Sequence, residues 1–463
     1  MIAKLGRTLN TVFTKTAPDP FVIAVGLTLI SAVLALTLGT YPGAETIPDK
    51  ANAMIDAWRG ADGLWKFLAF GMQMSLILVT GHALAASKPI RALIGTLADL
   101  PNSAPAAAAL VGVVAAVFGL INWGLGLIVG ALFAREVARV CVAKDIKVHG
   151  PLLAAAGYMG LLVWHGGFSG SAPLKMTTEA EARDVLPTTI YESLGTGAVP
   201  LSDTLLSPMN IFISGGLLIL IPIVLWLLTP KRDDEITPMP LDDDTPQATH
   251  DAGAPAGFPD RIERSPVVVW ALALLLFWAF FRFSTQQGFM SLGPNEVNIL
   301  MLALGLIMHG SVRSYITAAE DGARGCAGII LQFPLYAGIM GMLASSGLVS
   351  DFSRFMGSIA SETTAPIFTM LSAAIVNVFV PSGGGQWGIQ GPIALQTGAE
   401  TGVAPAKMIM AVAYGDQLTN MLQPFWALPL LAITKVKARE IVGYTAVVML
   451  IAAAWIVVGL LVF

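Results

Sequence analysis

Ile121-Asn122-Trp123-Gly124-Leu125-Gly126 sits in the middle of an apolar stretch that runs over residues 106–134. Lys88 and Arg91 precede that stretch, and Arg135, Arg139, Lys144 and Lys147 follow it. Lysine and arginine in short loops stay on the cytoplasmic side of a membrane. A segment apolar enough to enter the bilayer that begins and ends on the same side is a re-entrant hairpin, and Asn122 with its neighbouring glycines marks the turn. Non-helical backbone at that depth survives only when it is buried in protein or lines a cavity.

The rest of the chain reads the same way. Of its 463 residues 55% are hydrophobic and 12% charged, against about 25% charged in soluble proteins. Apolar runs of about 20 residues recur, each long enough to cross a hydrocarbon layer of about 30 Å. Most lack the polar face of a soluble amphipathic helix. The net charge of −4 reflects acids in loops, and no basic patch interleaved with aromatics suggests a nucleic-acid partner. Cys141 and Cys326 are isolated, match no metal spacing and read as packing residues. Lys4, Arg7 and Lys15 precede the first apolar run, and no small-residue cleavage site follows it. Residues 21–40 are therefore a retained first span behind a short cytoplasmic amphipathic segment.

Charge placement orients the remainder. Residues 21–40 go out, 67–86 return, and the hairpin enters from inside. Residues 152–174 cross out to an acidic loop holding Glu179, Glu181, Asp184 and Glu192, and 208–228 come back. Residues 267–283, 295–310 and 327–347 cross in turn. Residues 366–398, without a close positive flank, read as a second hairpin entering from outside. Residues 408–434 end at Lys435, Lys437 and Arg439 inside, and 442–463 end outside. The expected fold is an all-α polytopic membrane protein of nine spans plus two re-entrant hairpins. Its parts are a cytoplasmic N-terminal segment (1–20), a first half (21–229), a Pro- and Asp-rich disordered cytoplasmic linker (230–264), a connecting span (265–283) and a second, inverted half (284–463).

Each half orders its parts as span, span, hairpin, span, span. Tyr158 precedes Pro173-Leu174, and Tyr414 precedes Pro429-Leu430, by the same interval. Gln73 ahead of His82-Ala-Leu-Ala-Ala-Ser87 is echoed by Gln332 ahead of Gly341-Met-Leu-Ala-Ser-Ser346. Inverted repeats with broken helices are a secondary-transporter design, with the site near the midplane. Breaks fall at 122–126, 164–171, 381–385 and 416–424. Pro381-Ser382-Gly383-Gly384-Gly385 cannot be regular helix, because proline lacks a donor and glycine disfavours helix. A helix restarting there offers free N–H groups that suit a carboxylate; the plainer reading is a tight tip without a ligand. Trp164-His-Gly-Gly-Phe-Ser169-Gly170-Ser171 reads as an unwound segment offering carbonyls and hydroxyls, or else as close helix packing. His165 can exchange a proton near neutral pH or serve as a hydrogen-bonded structural histidine. Asp416, Asn420 and Gln423 share a helical face, and Gln423 precedes Pro424, which pushes it from helical geometry. An acid within a span is functional by default; Asp416 can bind Na+, carry a proton or bond a neighbouring helix. Gly126 and Gly130 form a GxxxG match read as packing. Trp123, Trp387, Phe425 and Trp426 can wall a small apolar pocket or pack as ordinary core.

Seven ordered runs carry a resemblance: Phe67-Leu-Ala-Phe-Gly-Met-Gln-Met, Val79-Thr-Gly-His-Ala-Leu-Ala, Ile121-Asn-Trp-Gly, Gly130-Ala-Leu-Phe-Ala-Arg-Glu-Val-Ala-Arg139, Gly166-Gly-Phe-Ser-Gly-Ser171, Val380-Pro-Ser-Gly-Gly-Gly385 and Gln423-Pro-Phe-Trp-Ala-Leu-Pro429. With them the chain resembles the bacterial short-chain fatty acid transporter family from about Pro20 to Phe463, least so in the linker. The resemblance implies import of small monocarboxylates such as acetate, butyrate or acetoacetate across the bacterial inner membrane. By the broader ion-transporter superfamily it also implies paired hairpins, a scaffold, a moving elevator-type domain and a homodimer. The family commonly has Gly where this chain has His165 and Glu where it has Asp416. The first puts a shared proton role for His165 in doubt; the second keeps the carboxylate.

These readings combine into one expectation. The substrate carboxylate lies between the two tips, Asn122, Trp123 and Gly124 on one side and Ser382, Gly383, Gly384 and Gly385 on the other. Ser169, Gly170, Ser171, Asn420 and Gln423 complete the lining. Na+ or H+ offsets the anion, with Asp416 the carrier and Asn122 and His165 assisting; no other cofactor or metal is expected, and no enzymatic activity. The alternatives are a carrier of another small carboxylate, a passive anion channel, which would show rings of charge, and an intramembrane serine protease built on Ser169 with His82 or His309.

Overall fold

The computed structural model describes residues 2–185, 191, 198–241, 257–288 and 293–463, and among them it is helical with no strand. Among the described residues seven helices are long and apolar enough to cross a membrane: Pro20–Leu38, Leu68–Ala86, Ala104–Ile121, Pro208–Leu228, Pro266–Gln286, Val312–Ser345 and Ala438–Val462. The difference from nine has a local cause. The expected spans 152–174 and 408–434 are each interrupted, and Pro294–His309 is 16 residues long. Ala104–Ile121 is apolar enough for the set although it is one arm of a hairpin.

Both hairpins are present as helix, break, helix. The first consists of Ala104–Ile121 and Trp123–Ala143, which pack along each other and meet at Asn122. Its outer ends lie together, because Lys144 after the second arm pairs with Asp99 before the first, N to O 2.9 Å. The second consists of Ala365–Phe379 and Gly383–Thr401. Its ends also converge, with Ala365 packed against Val403, Met408 and Ala360.

The helices form two groups. Pro20–Leu38, Ile47–Arg59, Leu68–Ala86, Pro266–Gln287, Pro294–His309, Val312–Ala323 and Ala327–Ser345 pack mainly on one another. The hairpins, the interrupted helices, Pro208–Leu228, Ala438–Val462 and the amphipathic Ile2–Thr16 form the other group. The groups meet where Leu68–Ala86 and Ala327–Ser345 face Trp123–Ala143 and Pro424–Thr434. Within the second group helices approach closely: a Cβ on Gly130 would stand 2.1 Å from the Gly157 carbonyl oxygen. Gly130 is thus a backbone-to-backbone contact of the kind small residues permit in membranes.

Of the expected linker, residues 242–256 lie outside the described residues. Its first part docks on the second group. The Gly150 N–H donates to the Thr237 carbonyl at 2.8 Å, the Thr237 N–H donates to His149 Nδ1 at 3.0 Å, and Met239 is buried. The far part of the acidic loop, residues 186–190 and 192–197, also lies outside the described residues.

Candidate functional site

At the first tip, Asn122 has extended backbone (φ −156°, ψ 131°) and separates two helices. Its side-chain oxygen accepts from the N–H groups of Gly124 and Leu125 at 3.0 and 3.1 Å. The remaining first-turn donor, Trp123 N–H, donates to Ser169 Oγ at 2.9 Å. A helix start leaves its first N–H groups without partners in the helix, and here side chains of the protein take the first three. Ser169 reaches this position because the interrupted segment runs against the tip. The Phe168 N–H donates to the Leu120 carbonyl at 2.8 Å, and a Cβ on Gly167 would stand 2.2 Å from that same oxygen.

The second tip is less satisfied. Ser382 caps the helix Gly383–Thr401 by accepting from Gly385 N–H at 3.2 Å, and its carbonyl accepts from Gln386 at 2.7 Å. Among the described residues no such partner faces the N–H groups of Gly383 and Gly384. Groups from the first interrupted segment crowd this tip. A Cβ on Gly383 would meet Trp164, His165 and Ser171 Oγ at 2.8, 3.0 and 3.1 Å, and one on Gly384 would lie 3.8 Å from Lys175 Cε. The two tips are bridged by Trp164, whose ring also stands edge-on to Trp123 at 6.5 Å.

The two interruptions meet beside these tips. After Gly150–Gly157 the first proceeds through tight turns at Met159–Leu162 and Trp164–Gly166 to the short helix Ser171–Leu174. The helix Pro405–Thr419 stays regular past Asp416 and gives way to the turn Asn420–Leu422. Gln423, ahead of Pro424, is extended (φ −92°, ψ 116°), as the pre-proline clash requires. Tyr158 from the first interruption donates its hydroxyl to the carbonyls of Asn420 and Gln423 at 2.9 and 3.2 Å. Tyr414 donates to Asn210 Oδ1 at 2.9 Å, and Asn210 in turn donates to the Gly166 carbonyl at 2.9 Å.

Asp416 is 1% exposed and stands 3.4 Å from His165, Oδ1 to Nδ1. The other histidine nitrogen, Nε2, accepts from the Ala172 N–H at 3.2 Å. Nε2 is therefore the lone-pair nitrogen, and the ring proton of neutral His165 lies on Nδ1, toward Asp416. The imidazole stacks on Trp164 at 4.0 Å, and its backbone N–H donates to Gln417 Oε1 at 3.2 Å. The second oxygen of Asp416 has no protein partner, and neither do Asn420 Nδ2, Gln423 Oε1, Gln417 Nε2 or Asn377 Oδ1. Buried polar atoms are normally paired, and these five lie around the same turn.

The residues singled out in the sequence thus fall into a connected set. Asn122, Trp123, Gly124 and Ser169 form one tip with its support. Ser171, Ser382, Gly383, Gly384 and Gly385 form the other, with Gly170 in the tight turn between. His165 and Asp416 pair, and Asn420 and Gln423 lie at the adjoining turn. Trp123 and Trp426 stand 5.2 Å apart, edge to face, with Phe425 beside Trp426 at 5.0 Å. Trp387 is buried in its own helix against Gly391. Ser169 has no neighbouring candidate base in the first group of helices: His309 bonds the Ala83 carbonyl and Ser314, and His82 packs at Gly322.

Three residues were missed. Asn377 is fully buried and its Nδ2 faces the Asp416 carbonyl, Asn420 Oδ1 and Thr419 Oγ1 at 2.7, 2.9 and 3.1 Å; Gln423 donates back to its carbonyl. Gln417 supports His165. Lys175 lies half-buried beside the second tip. The visible signals were a lone Asn in an apolar run, a Gln adjoining Asp416 and a Lys just past the unwound segment.

Apolar helices of bilayer length, two hairpins and a buried polar centre between broken helices are those of a helical membrane protein. The particular kind follows from comparison. The profile of the short chain fatty acid transporter family matches residues 1–463, and the chain belongs to that family. It is 38% identical, over 100% of both chains, to a protein of Escherichia coli (strain K12) provisionally named short-chain fatty acid transporter. It is 36% identical, over 99% of both, to one of the same provisional name in Haemophilus influenzae. Among solved structures, the Alcanivorax borkumensis YdaH transporter gives a TM-score of 0.41 at 16% identity over 96% of this chain and 97% of that one. Neisseria gonorrhoeae MtrF, an antimetabolite efflux pump, gives 0.40 at 16% over 99% and 96%. Neither structural likeness is close enough to carry an argument.

Proposed function

We propose that the protein is a secondary active carrier that imports short-chain fatty acids, small monocarboxylates such as acetate, butyrate or acetoacetate, across the bacterial inner membrane together with a cation. The observation that carries this reading is the buried Asp416, with one oxygen unpartnered, set among further unpartnered polar atoms where two broken helices meet. The carboxylate sits at the second tip, on the N–H groups of Gly383 and Gly384, with Ser171 and Lys175 beside it. That assignment follows from the first tip, whose donors are consumed by Asn122 and Ser169. The acyl tail lies toward Trp123, Trp164 and Trp426. Asn420 and Gln423 line the polar side, and Asp416 takes the cation, Na+ or H+, with His165 beside it. The full reading includes nine crossings, an inverted repeat, an elevator movement of the hairpin-bearing group against the other group, and a homodimer.

Charge compensation has a physical purpose. With the interior at about −100 mV, moving one uncompensated negative charge inward costs about 2.3 kcal/mol. That is about a 50-fold loss of accumulation. The test is uptake of labelled butyrate into proteoliposomes under an imposed Na+ or H+ gradient, each alone. Accumulation above equilibrium under one of them, lost in Asp416→Asn, is expected. Equilibration without accumulation under either would replace the carrier by a uniporter or channel. Gradient-driven accumulation retained in Asp416→Asn would remove the role given to that carboxylate.

A further inference from the structure

A groove of about 560 Å³ opens between the two groups of helices, within the range of about 300–1,000 Å³ usual for ligand sites. The first group lines it with Phe21, at the start of Pro20–Leu38, and with Leu331 and Gln332 of Ala327–Ser345. The second lines it with Leu428 and Leu431, near the end of Pro424–Thr434. Apart from Gln332 these side chains are apolar. Leu331 is 60% exposed and Phe21 41%, so the groove opens sideways. From Phe21 the exposed Val25 and Leu29 continue along one face of the first span at intervals of four. Apolar surface on a membrane span faces lipid chains, which are as apolar as leucine.

The mouth carries both signs of charge, from Asp19, Lys437 and Arg439. Each stands at a helix boundary: Asp19 caps Pro20–Leu38, and Lys437 and Arg439 flank the first residue of Ala438–Val462. Charge placement puts this boundary on the cytoplasmic side, hence at headgroup level. Asp19 accepts from Phe21 N–H at 2.9 Å through one oxygen, which leaves the other for a second donor. Glu440, the acid next in sequence, accepts from Lys437 N–H at 2.9 Å, and neither Lys437 nor Arg439 forms an ion pair among the described residues. Gln332, further in, is 4% exposed, and its Oε1 has no protein partner. The groove thus offers two cations, a carboxylate and a buried amide acceptor beside apolar walls.

We propose that this groove binds a phospholipid of the cytoplasmic leaflet with a primary-amine head, of the phosphoethanolamine class. Lys437 and Arg439 take the phosphate through charge-assisted bonds. The ammonium, a three-fold donor like that of lysine, goes to Asp19, and Gln332 Oε1 adds an acceptor on the same wall. An acyl chain lies along Leu331, Leu428 and Leu431. Asp19 sets the choice of head: an anionic head without an amine would bring negative charge against it, and a quaternary amine would bring charge without a donor. The bound lipid touches both groups of helices.

The test is native mass spectrometry of the purified full-length protein, delipidated in detergent and given phosphatidylethanolamine and phosphatidylglycerol of the same acyl chains at equal concentration. The wild type should hold phosphatidylethanolamine several-fold more than phosphatidylglycerol and, in a parallel pair, more than phosphatidylcholine. Asp19→Asn keeps the helix cap, since asparagine caps as well as aspartate, and should abolish the preference over phosphatidylglycerol. Lys437→Gln with Arg439→Gln, both at exposed positions, should weaken phosphatidylethanolamine binding at least about five-fold, the effect of one cation near a charged lipid surface. Equal binding of the three lipids by the wild type overturns the proposal. So does an unchanged preference in Asp19→Asn, or unchanged phosphatidylethanolamine binding in the double variant. Butyrate uptake enters none of these readouts, so the carrier reading can fail without the lipid site, and the lipid site without the carrier reading.

Discussion

Asn377→Ala tests whether the polar centre is held by the residue that the sequence left inconspicuous. The Asn377 amide nitrogen faces three acceptors, the Asp416 carbonyl, Asn420 Oδ1 and Thr419 Oγ1, at 2.7, 2.9 and 3.1 Å. It carries two protons, so about two of these bonds are fully made at a time. Thr419 Oγ1 donates its own proton to the Ala374 carbonyl at 2.8 Å and can only accept from Asn377. Alanine keeps the backbone carbonyl that Gln423 uses but leaves buried acceptors unpaired. Each such loss costs about 1–3 kcal/mol, so two of them cost the native turn at Asn420–Leu422 about 2–6 kcal/mol. If that cost falls on the geometry of the turn and its competent form is only marginally favoured, the equilibrium constant for that form drops by at least about 30-fold. Initial butyrate uptake should fall accordingly, with the apparent Tm in detergent lower by a few degrees. Asn377→Asp keeps the shape but puts a carboxylate oxygen against acceptors, and should be worse than alanine. Uptake within about two-fold of wild type in Asn377→Ala, at unchanged Tm, would refute the reasoning.

Other expectations follow from single contacts. Gly130→Ala puts a Cβ 2.1 Å from the Gly157 carbonyl oxygen, a backbone atom, whereas Gly26→Ala meets nothing within 4 Å; overpacking should cost the first about 1–3 kcal/mol or more and the second nothing measurable by thermal unfolding. Burial holds the His149 imidazole down at about 4 from an ordinary 6.5. The native state thus keeps it neutral while the unfolded chain binds a proton, so its contribution is fully present above pH 6.5 and is lost as pH falls toward 4, by at most about 3 kcal/mol. Unfolding followed across that range should show less acid sensitivity in His149→Gln than in wild type. Ser169→Ala leaves Trp123 N–H without its acceptor and should cost about 1 kcal/mol, slowing uptake several-fold rather than abolishing it, as the loss of a nucleophile would.

The hairpins were legible because two independent signals agreed, charge placement and a helix-breaking tip. Their ends were less so. Arg135 reads as the cytoplasmic boundary of the first hairpin, yet the arm continues to Ala143 with Arg135 buried. It can stay inside because it donates to the Ile433 carbonyl at 3.4 Å, near the end of Pro424–Thr434, where a helix terminus favours a cation. The stripe of Asp416, Asn420 and Gln423 was placed on one helical face, with a break somewhere in 416–424 and Gln423 pushed from helical geometry by Pro424. The helix ends at Thr419, and Asn420 and Gln423 come together by turning around Asn377, a partner some forty residues earlier that periodicity cannot supply. The pairing of His165 with Asp416 and the neighbourhood of Lys175 and Gly384 also join residues separated by more than two hundred positions. The Pro- and Asp-rich composition of the linker hid the docking of Thr237 and Met239, which depends on one histidine and one helix start elsewhere.

The two hairpin tips look alike in sequence and differ in chemistry. Each has a polar residue followed by Gly-containing helix, the pattern that suggests a matched pair of anion-binding helix starts. At the first, Asn122 reaches two N–H groups and Ser169 takes the third, so the tip is closed by the protein's own side chains. At the second, Ser382 is too short to take more than Gly385 N–H, and Gly383 and Gly384 carry no side chain to fill the space in front. Trp164 separates the tips, and the lysine lies on the side of the second. The asymmetry divides the work. A donor that is already bonded contributes rigidity but no affinity, whereas a buried donor left open stabilises whatever anion reaches it. Equal use of both tips would require the first to break three bonds each time a carboxylate bound. The second has no such bonds to break at Gly383 and Gly384, and Lys175 beside it has no carboxylate partner among the described residues. The first tip accordingly sets the position of Trp123 and the broken segment, and in the proposed carrier it is the second that faces the substrate.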